Sequence, residues 1–98
     1  MKPLFEFRDK IFHVHLKDAI VYKEKLDEVG IMAAPNDFHS PKLPGMGDID
    51  WDRFFSALND IRYTGPVCVE VEDRAFEGSF ENRRYSLELA RRYLVQYL

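Results

Sequence analysis

Two segments of the chain alternate strictly between apolar and polar residues, which predicts two β-strands. They cover residues 11–16 and 67–71. Because successive side chains of a strand point to opposite faces, each strand has one apolar and one polar face. The apolar faces consist of Phe12, Val14 and Leu16 in the first strand and Val67, Val69 and Val71 in the second. The polar faces continue past the strands and carry His13, His15 and Lys17, and Cys68, Glu70 and Glu72.

Apolar residues at helical spacing predict two helices. Asp50 is a good N-cap, and an apolar stripe follows it with a repeat of three to four residues. This helix is expected to end near residues 63–64, with Gly65 at the C′ position and Pro66 preventing continuation. A final helix is predicted over about residues 80–97. The two stripes are Trp51, Phe54, Phe55, Leu58 and Ile61, and Leu87, Ala90, Leu94 and Leu98.

A long connection, residues 17–48, separates the first strand from the first of these helices. Residues 20–29 indicate a short helical stretch that Gly30 closes, whereas the remainder is rich in proline and glycine and is typical of a loop. Structureless loops of this length are uncommon in a small domain and are usually functional. We therefore expect this one to cover a substrate.

The order of these elements predicts the α/β fold class. A strand–helix–strand unit with a crossover of this size implies parallel strands joined in the right-handed sense. Parallel sheets are normally covered by helices and extended by further strands, and two strands alone leave two exposed edges and marginal stability. We therefore expect the missing strands to come from another chain or from copies of this chain that pair edge to edge.

Composition narrows the class of protein but not its function. The 98 residues, 46% of them apolar, suffice for one small domain and argue against general disorder. The net charge of −3, with interleaved signs, gives no electrostatic footprint for nucleic acid. No apolar run approaches the ~20 residues of a membrane span, and no secretory signal is recognisable. With a single cysteine, Cys68, we expect a soluble cytoplasmic protein without a nucleic-acid or membrane partner.

Four motifs in this order resemble the xylose-isomerase-like sugar phosphate isomerases and epimerases. They are H-V-H-L-K-D at residues 13–18, L-P-G-M-G-D at residues 43–48, Y-T-G at residues 63–65 and V-E-V-E-D at residues 69–73. The resemblance covers essentially the whole chain. It implies that residues 1–98 form a single unit, the C-terminal part of a (β/α)8 TIM barrel with about its last two βα units, completed by self-association or by a partner.

The resemblance also implies which side chains carry the chemistry. His15 corresponds to the family's metal ligand on strand seven, and Glu70 to the ligand on strand eight, which also serves as a proton-transfer group. His13 and Lys17 are expected to contact the substrate, a sugar or sugar phosphate. The family's two further acidic ligands lie on strands that this sequence does not contain. The mixed nitrogen and oxygen ligands suit Mn²⁺, Co²⁺, Zn²⁺ or Mg²⁺. The pattern also marks Asp18, Glu72 and Asp73.

Three hypotheses about function follow. In an intact barrel, the family resemblance implies isomerisation or epimerisation of a sugar through metal-dependent proton transfer alpha to a carbonyl, with this chain as a complementing barrel fragment. Alternatively, the chain is an inactive fragment that self-associates as a homo-oligomer. The third hypothesis is a metal-dependent apurinic-site endonuclease, which shares this barrel; the acidic charge balance argues against it. Cys68 is predicted to be a small core residue rather than a nucleophile.

Overall fold

The computed structural model of the protein describes residues 1–98 and contains four α-helices and four β-strands. The helices are α1 (Lys2–Glu6), α2 (Lys23–Val29), α3 (Trp51–Asp60) and α4 (Phe80–Leu94). The strands are β1 (Val14–Leu16), β2 (Asp18–Val21), β3 (His39–Lys42) and β4 (Val67–Val69). Short 3₁₀ helices cover residues 8–10, 35–37, 74–76 and 95–97. None of the helices combines the length and the apolar character that a membrane crossing requires.

Strands β1 and β4 pair in parallel, as the alternating segments predict, but both are shorter than the predicted ranges of 11–16 and 67–71. His15 lies opposite Cys68 in this register, with Val14–Val67 and Leu16–Val69 pairs on either side. One further backbone bond extends the ladder, because the Glu70 amide donates to the carbonyl of Leu16 at 3.0 Å. The α/β class is thus confirmed, and a helical crossover between parallel strands is consistent with part of a TIM barrel.

The core lies between one face of this strand pair and helices α3 and α4. Six buried residues form it: Val14, Leu16, Trp51, Phe55, Leu58 and Leu94. The aliphatic side chains of β1 meet the aromatic side of α3 here, so Val14 and Leu16 of the predicted apolar face are packed, with Val67 and Val69 against them. The helices cover only one face of the strand pair, and the opposite, polar face is exposed.

Helix α3 begins where the sequence predicts but ends earlier. Its N-cap is Asp50, whose side chain accepts a hydrogen bond from the Arg53 amide at 3.0 Å. The expected C′ glycine, Gly65, does not fill that role. Instead Arg62 takes a left-handed conformation with φ of 55°. The amides of Arg62 and Tyr63 donate to the carbonyls of Asn59 and Leu58, which is the Schellman pattern.

The long connection contains a two-stranded ribbon that the sequence did not predict. Strands β2 and β3 pair antiparallel, with Ala19 opposite Pro41. Helix α2 lies between them and ends at Gly30 as expected, but it begins at Lys23, because residues 20 and 21 of the predicted helical stretch belong to β2. The expectation of a structureless covering loop is therefore wrong for residues 39–42. Pro41 is compatible with the ribbon because both of its strands are edge strands, where a missing amide donor is tolerated.

Several residues expected in the interior are exposed. Phe12 is 75% exposed because the strand begins only at Val14. Cys68 is also exposed, so its prediction as a core residue is wrong. Of the predicted final stripe, Ala90 and Leu94 are buried, whereas Leu87 and Leu98, which lies beyond the end of α4, are exposed. These side chains belong to faces that no other part of the described chain covers.

The chain is more open than its mass predicts. Its accessible surface is 7396 Å², whereas a folded monomer of 11.6 kDa exposes about 5,800 Å². The Cα radius of gyration is 15.1 Å, compared with about 12.6 Å for a compact domain of this length. Large apolar side chains contribute to the excess, among them Phe12, Ile31, Met32, Phe80 and Leu98.

Candidate metal and substrate site

The open face of the β1–β4 pair brings His15 and Glu70 together. His15 is the central residue of β1, and Glu70 directly follows β4. The His15 Nδ1 atom lies 3.4 Å from Glu70 Oε2, and both side chains are about half exposed. The parallel register produces this contact, because it sets the two side chains on adjacent strands and on the same face.

The spacing of these two atoms fits a shared divalent cation. Nitrogen and oxygen ligands bind such ions at about 2.0–2.2 Å, so two ligands of one ion stand ~2.8–3.1 Å apart at a right angle and ~3.3–3.6 Å apart at a tetrahedral angle. The observed 3.4 Å agrees with the tetrahedral separation. An imidazole and a carboxylate are moreover the donor types that Mn²⁺, Co²⁺ and Zn²⁺ accept. His15 and Glu70 could therefore hold one cation, with its other ligands supplied from outside the described residues.

His13 lies beside His15 on the same face. The two rings meet edge to face, with centroids 4.8 Å apart and an interplanar angle of 72°. The i, i+2 spacing on a strand accounts for this arrangement. His13 thus borders the position that a cation bound to His15 would occupy.

Lys17 and Glu72 form an ion pair further along the same side of the strands. The Lys17 Nζ atom lies 2.6 Å from Glu72 Oε2. The hydrogen bond that the Lys17 ammonium donates to Glu72 raises the pKa of Lys17, burial acts against this increase, and the charges of Glu72 and Glu70 add to it. The same hydrogen bond lowers the pKa of the Glu72 carboxyl. Lys17 is therefore a fixed cation at neutral pH, able to donate hydrogen bonds but not to act as a base.

Asp18 organises the loop that follows the ribbon, a role that the sequence pattern left unassigned. Its side chain is almost fully buried. One carboxylate oxygen accepts from the amides of Ala19 and Ile49, and the other from those of Gly45 and Gly47. The second oxygen also accepts from the Trp51 indole at 2.9 Å. Five donors thus converge on one carboxylate and fix the L-P-G-M-G-D segment against the start of α3. The signal available in the sequence was an acidic residue directly after the apolar and polar alternation of β1.

Asp73 has a comparable structural role at the end of β4. Its buried carboxylate accepts from the Ala75 amide at 3.0 Å and caps the 3₁₀ helix at residues 74–76. The Lys42 ammonium lies 3.8 Å away on β3. These residues border a cavity of about 200 Å³, which is also lined by His39 and Arg74. The cavity lies between β3 of the ribbon and residues 73–75, which directly follow Glu72 of the Lys17–Glu72 pair.

Comparisons with known proteins agree in pointing to one family. The family model described as xylose isomerase-like TIM barrel matches residues 2–95. The chain is 33% identical to an inosose dehydratase of Clostridium perfringens, over 98% of this chain and 32% of that relative. It is also 33% identical to the inosose dehydratase of Clostridium beijerinckii, over 95% of this chain and 31% of the relative. A third inosose dehydratase, from Erwinia tasmaniensis, is 37% identical over 90% of this chain and 29% of its own.

The chain spans about a third of the length of the curated relatives it matches. No solved structure gives a significant match.

Proposed function

The chain belongs to the xylose isomerase-like TIM-barrel family, and we propose that it supplies part of the active site of a metal-dependent enzyme. The reaction is removal of a proton alpha to the carbonyl of a polyhydroxylated ketone. The observation that carries this proposal is the 3.4 Å approach of His15 to Glu70 on the open face of two parallel strands. The site lies toward the C-terminal ends of these strands, where TIM-barrel enzymes place their chemistry.

His15 and Glu70 are proposed to hold a divalent cation, together with acidic ligands from other strands. Such a cation polarises a carbonyl oxygen and thereby acidifies the neighbouring C–H bond. This chain's own contribution is to fix the two ligands, because the parallel register keeps them on one face. The identity of the ion is left among Mn²⁺, Co²⁺, Zn²⁺ and Mg²⁺.

The remaining polar side chains are assigned to proton transfer and substrate binding. A carboxylate that uses one oxygen for a cation keeps its other oxygen, so Glu70 can accept the proton from the carbon alpha to the carbonyl. Lys17 stays protonated beside Glu72 and is suited to bind a substrate hydroxyl group. His13, edge-on to His15, would contact the substrate from the other side.

The names of the relatives favour elimination over isomerisation. Removal of the alpha proton gives an enolate, and this intermediate has two outcomes. Reprotonation of the same carbon from the opposite face gives an epimer, and reprotonation at the neighbouring carbon gives an isomer. Loss of the β-hydroxyl group, protonated as it leaves, instead gives water and an unsaturated ketone. All three relatives are inosose dehydratases, and an inosose is a cyclic polyhydroxy ketone. We therefore propose dehydration of a substrate of this class, with sugar isomerisation as the alternative outcome of the same first step.

The active unit is proposed to be a complete barrel, in which residues 1–98 are the C-terminal part. The chain exposes roughly 1,600 Å² more than a compact monomer of its mass. That excess is about twice the ~800 Å² per partner of a standard interface and is in the range of obligate complexes. Further βα units, rather than a second copy of this chain, fit the open edges, because the relatives are about three times as long.

Complementation tests the proposal. The chain is mixed with the part of the Clostridium perfringens relative that it does not match, and dehydration of an inosose is followed by the absorbance of the unsaturated product. With Mn²⁺ present, we expect turnover in the mixture and none in either part alone. Glu70→Gln should abolish the turnover, whereas Glu88→Gln, on the exposed side of α4, should leave it unchanged.

Three results would contradict the proposal. Turnover that survives Glu70→Gln removes this carboxylate from the chemistry. A mixture that assembles, as shown by sedimentation, but neither dehydrates an inosose nor isomerises a sugar refutes the proposed activity. A chain that forms only homo-oligomers and never binds the complementing part supports the inactive self-associating alternative.

A further inference from the structure

We propose that the open face carries a second cation site, made by His13, His15 and Cys68, that selects a soft divalent ion such as Zn²⁺. The ligand atoms of these three side chains all lie within 4.8 Å of one another, and all three residues are exposed. His13 and Cys68 are not ligands of the cation site proposed for His15 and Glu70. The inference does not depend on the proposed enzymatic activity, although both sites share the His15 imidazole.

Backbone geometry brings the three ligands together. His13 and His15 occupy alternate positions and therefore share a face, while Cys68 lies directly opposite His15 in the parallel register. This is a local consequence of the β1–β4 pairing and needs no residue from outside the chain. It also explains why Cys68 is exposed rather than buried, since it lies on the same polar face as the histidines.

The distances suit tetrahedral coordination after small side-chain rotations. With Zn–N of about 2.0–2.1 Å and Zn–S of about 2.3 Å, neighbouring ligand atoms are ~3.3–3.6 Å apart. The largest separation in the cluster exceeds this by about 1 Å. Exposed side chains can close such a gap because no packing restrains them. Three protein ligands leave the fourth position of the ion open to water.

The donor set distinguishes this site from the one shared with Glu70. Two neutral imidazoles and a thiolate prefer Zn²⁺ or Co²⁺, whereas Mn²⁺ and Mg²⁺ prefer carboxylate oxygen. Binding replaces the thiol proton of Cys68, which is released to solvent, so sulfur and metal form one bond and no electron is transferred. Zn²⁺ or Co²⁺ should therefore bind at Cys68 and the two histidines, whereas Mn²⁺ should prefer the ligand pair that includes Glu70.

Cobalt titration of the reduced 98-residue chain tests the inference. Thiolate-bound Co²⁺ gives a near-ultraviolet sulfur-to-metal charge-transfer band, and Zn²⁺ should displace it. We expect the band to saturate at one Co²⁺ per chain, to vanish in Cys68→Ser and to require at least tenfold more Co²⁺ in His13→Ala. Glu70→Gln is the matched control and should keep the band, which separates a failure here from a failure of the proposed function.

A second readout uses the unsubstituted chain. Alkylation of Cys68 by iodoacetamide should slow at least tenfold when one equivalent of Zn²⁺ is present, and not when Mn²⁺ is added instead. Far-ultraviolet circular dichroism checks that each variant retains its fold. The inference is overturned by the absence of a charge-transfer band when the unsubstituted chain is titrated with Co²⁺, by a ratio of one Co²⁺ to two chains, or by alkylation at an unchanged rate with Zn²⁺.

Discussion

Replacing Asp18 by asparagine should destabilise the chain far more than the same substitution at an exposed aspartate. The Asp18 carboxylate is buried and accepts five hydrogen bonds, two on one oxygen and three on the other. Asp18→Asn has nearly the same shape but retains only one acceptor oxygen. Its amide NH₂ group must then face at least two of the five donors, which can no longer bond to it.

The expected loss follows from the number of bonds removed. A hydrogen bond to a charged group contributes ~1.5–3 kcal/mol, so two lost bonds cost roughly 3–6 kcal/mol. Domains of this length have free energies of unfolding of about 5–15 kcal/mol. Because only 13 of the 98 residues are buried, we expect this chain at the lower end of that range. Asp18→Asn should therefore be close to unfolded at room temperature.

Urea denaturation followed by far-ultraviolet circular dichroism measures the effect. The matched control is Asp48→Asn, since the exposed Asp48 carboxylate accepts one bond, from the Val21 amide at 2.8 Å, which an amide oxygen can also accept. We expect this control to lose less than about 1 kcal/mol. If Asp18→Asn lost no more than the control, the five contacts would not hold the loop and the reasoning would be refuted.

The remaining predictions concern single positions. Lys17→Met should raise the pKa of Glu72 back toward its ordinary value, as measured by carbon-13 NMR titration. Because the folded-state pKa is lowered, the ion pair stabilises the fold at a pH above the unfolded-state pKa of Glu72. This stabilisation is lost as the pH falls through the folded-state pKa. An unmoved titration would contradict the ion pair. Arg62→Gly should raise the free energy of unfolding by roughly 0.5–1 kcal/mol, because Arg62 occupies a left-handed conformation. Gly30→Ala should lower the free energy of unfolding by about 1 kcal/mol for the opposite reason, since φ is 77° there and the space is open. Two changes of the same sign in urea titrations would contradict one of these two predictions and therefore the argument from left-handed backbone that they share. Gly47→Ala should destabilise by at least about 2 kcal/mol, because the added methyl group would collide with the Asp18 carboxylate; thermal melts that match the unsubstituted chain would contradict this close approach.

The sequence was sufficient for the elements that local pattern determines. Alternation around His15 and Glu70 predicted the two strands and, through the helical crossover, their parallel pairing, although β4 ends one residue before Glu70. Helix α3 followed from the Asp50 cap and the stripe that begins at Trp51. In each case the residues that predict the element lie within it or directly beside it. Contacts with distant parts of the chain therefore changed little in these elements.

The failures have a non-local cause in common. Proline is typical of loops, so the sequence around Pro41 predicted a loop. Pro41 belongs to a strand only because β3 pairs with β2, where Ala19 lies opposite it. Cys68 was placed on the correct face but expected to be buried, because alternation says which side chains share a face and not what covers it. Asp18 was marked without a role, since its five donors come from residues spread over positions 19–51. The roles of His13, Lys17, His15 and Glu70 in chemistry remain predictions.

The most direct test of the central claim is the Mn²⁺ affinity of the complemented barrel, measured by calorimetry in a double-mutant cycle of His15→Ala and Glu70→Gln. If both side chains bind one cation, each single change should weaken binding at least tenfold, and the double change should cost less than the sum of the two free-energy losses. Either single variant binding Mn²⁺ as tightly as the unsubstituted chain would contradict a cation shared by these two ligands.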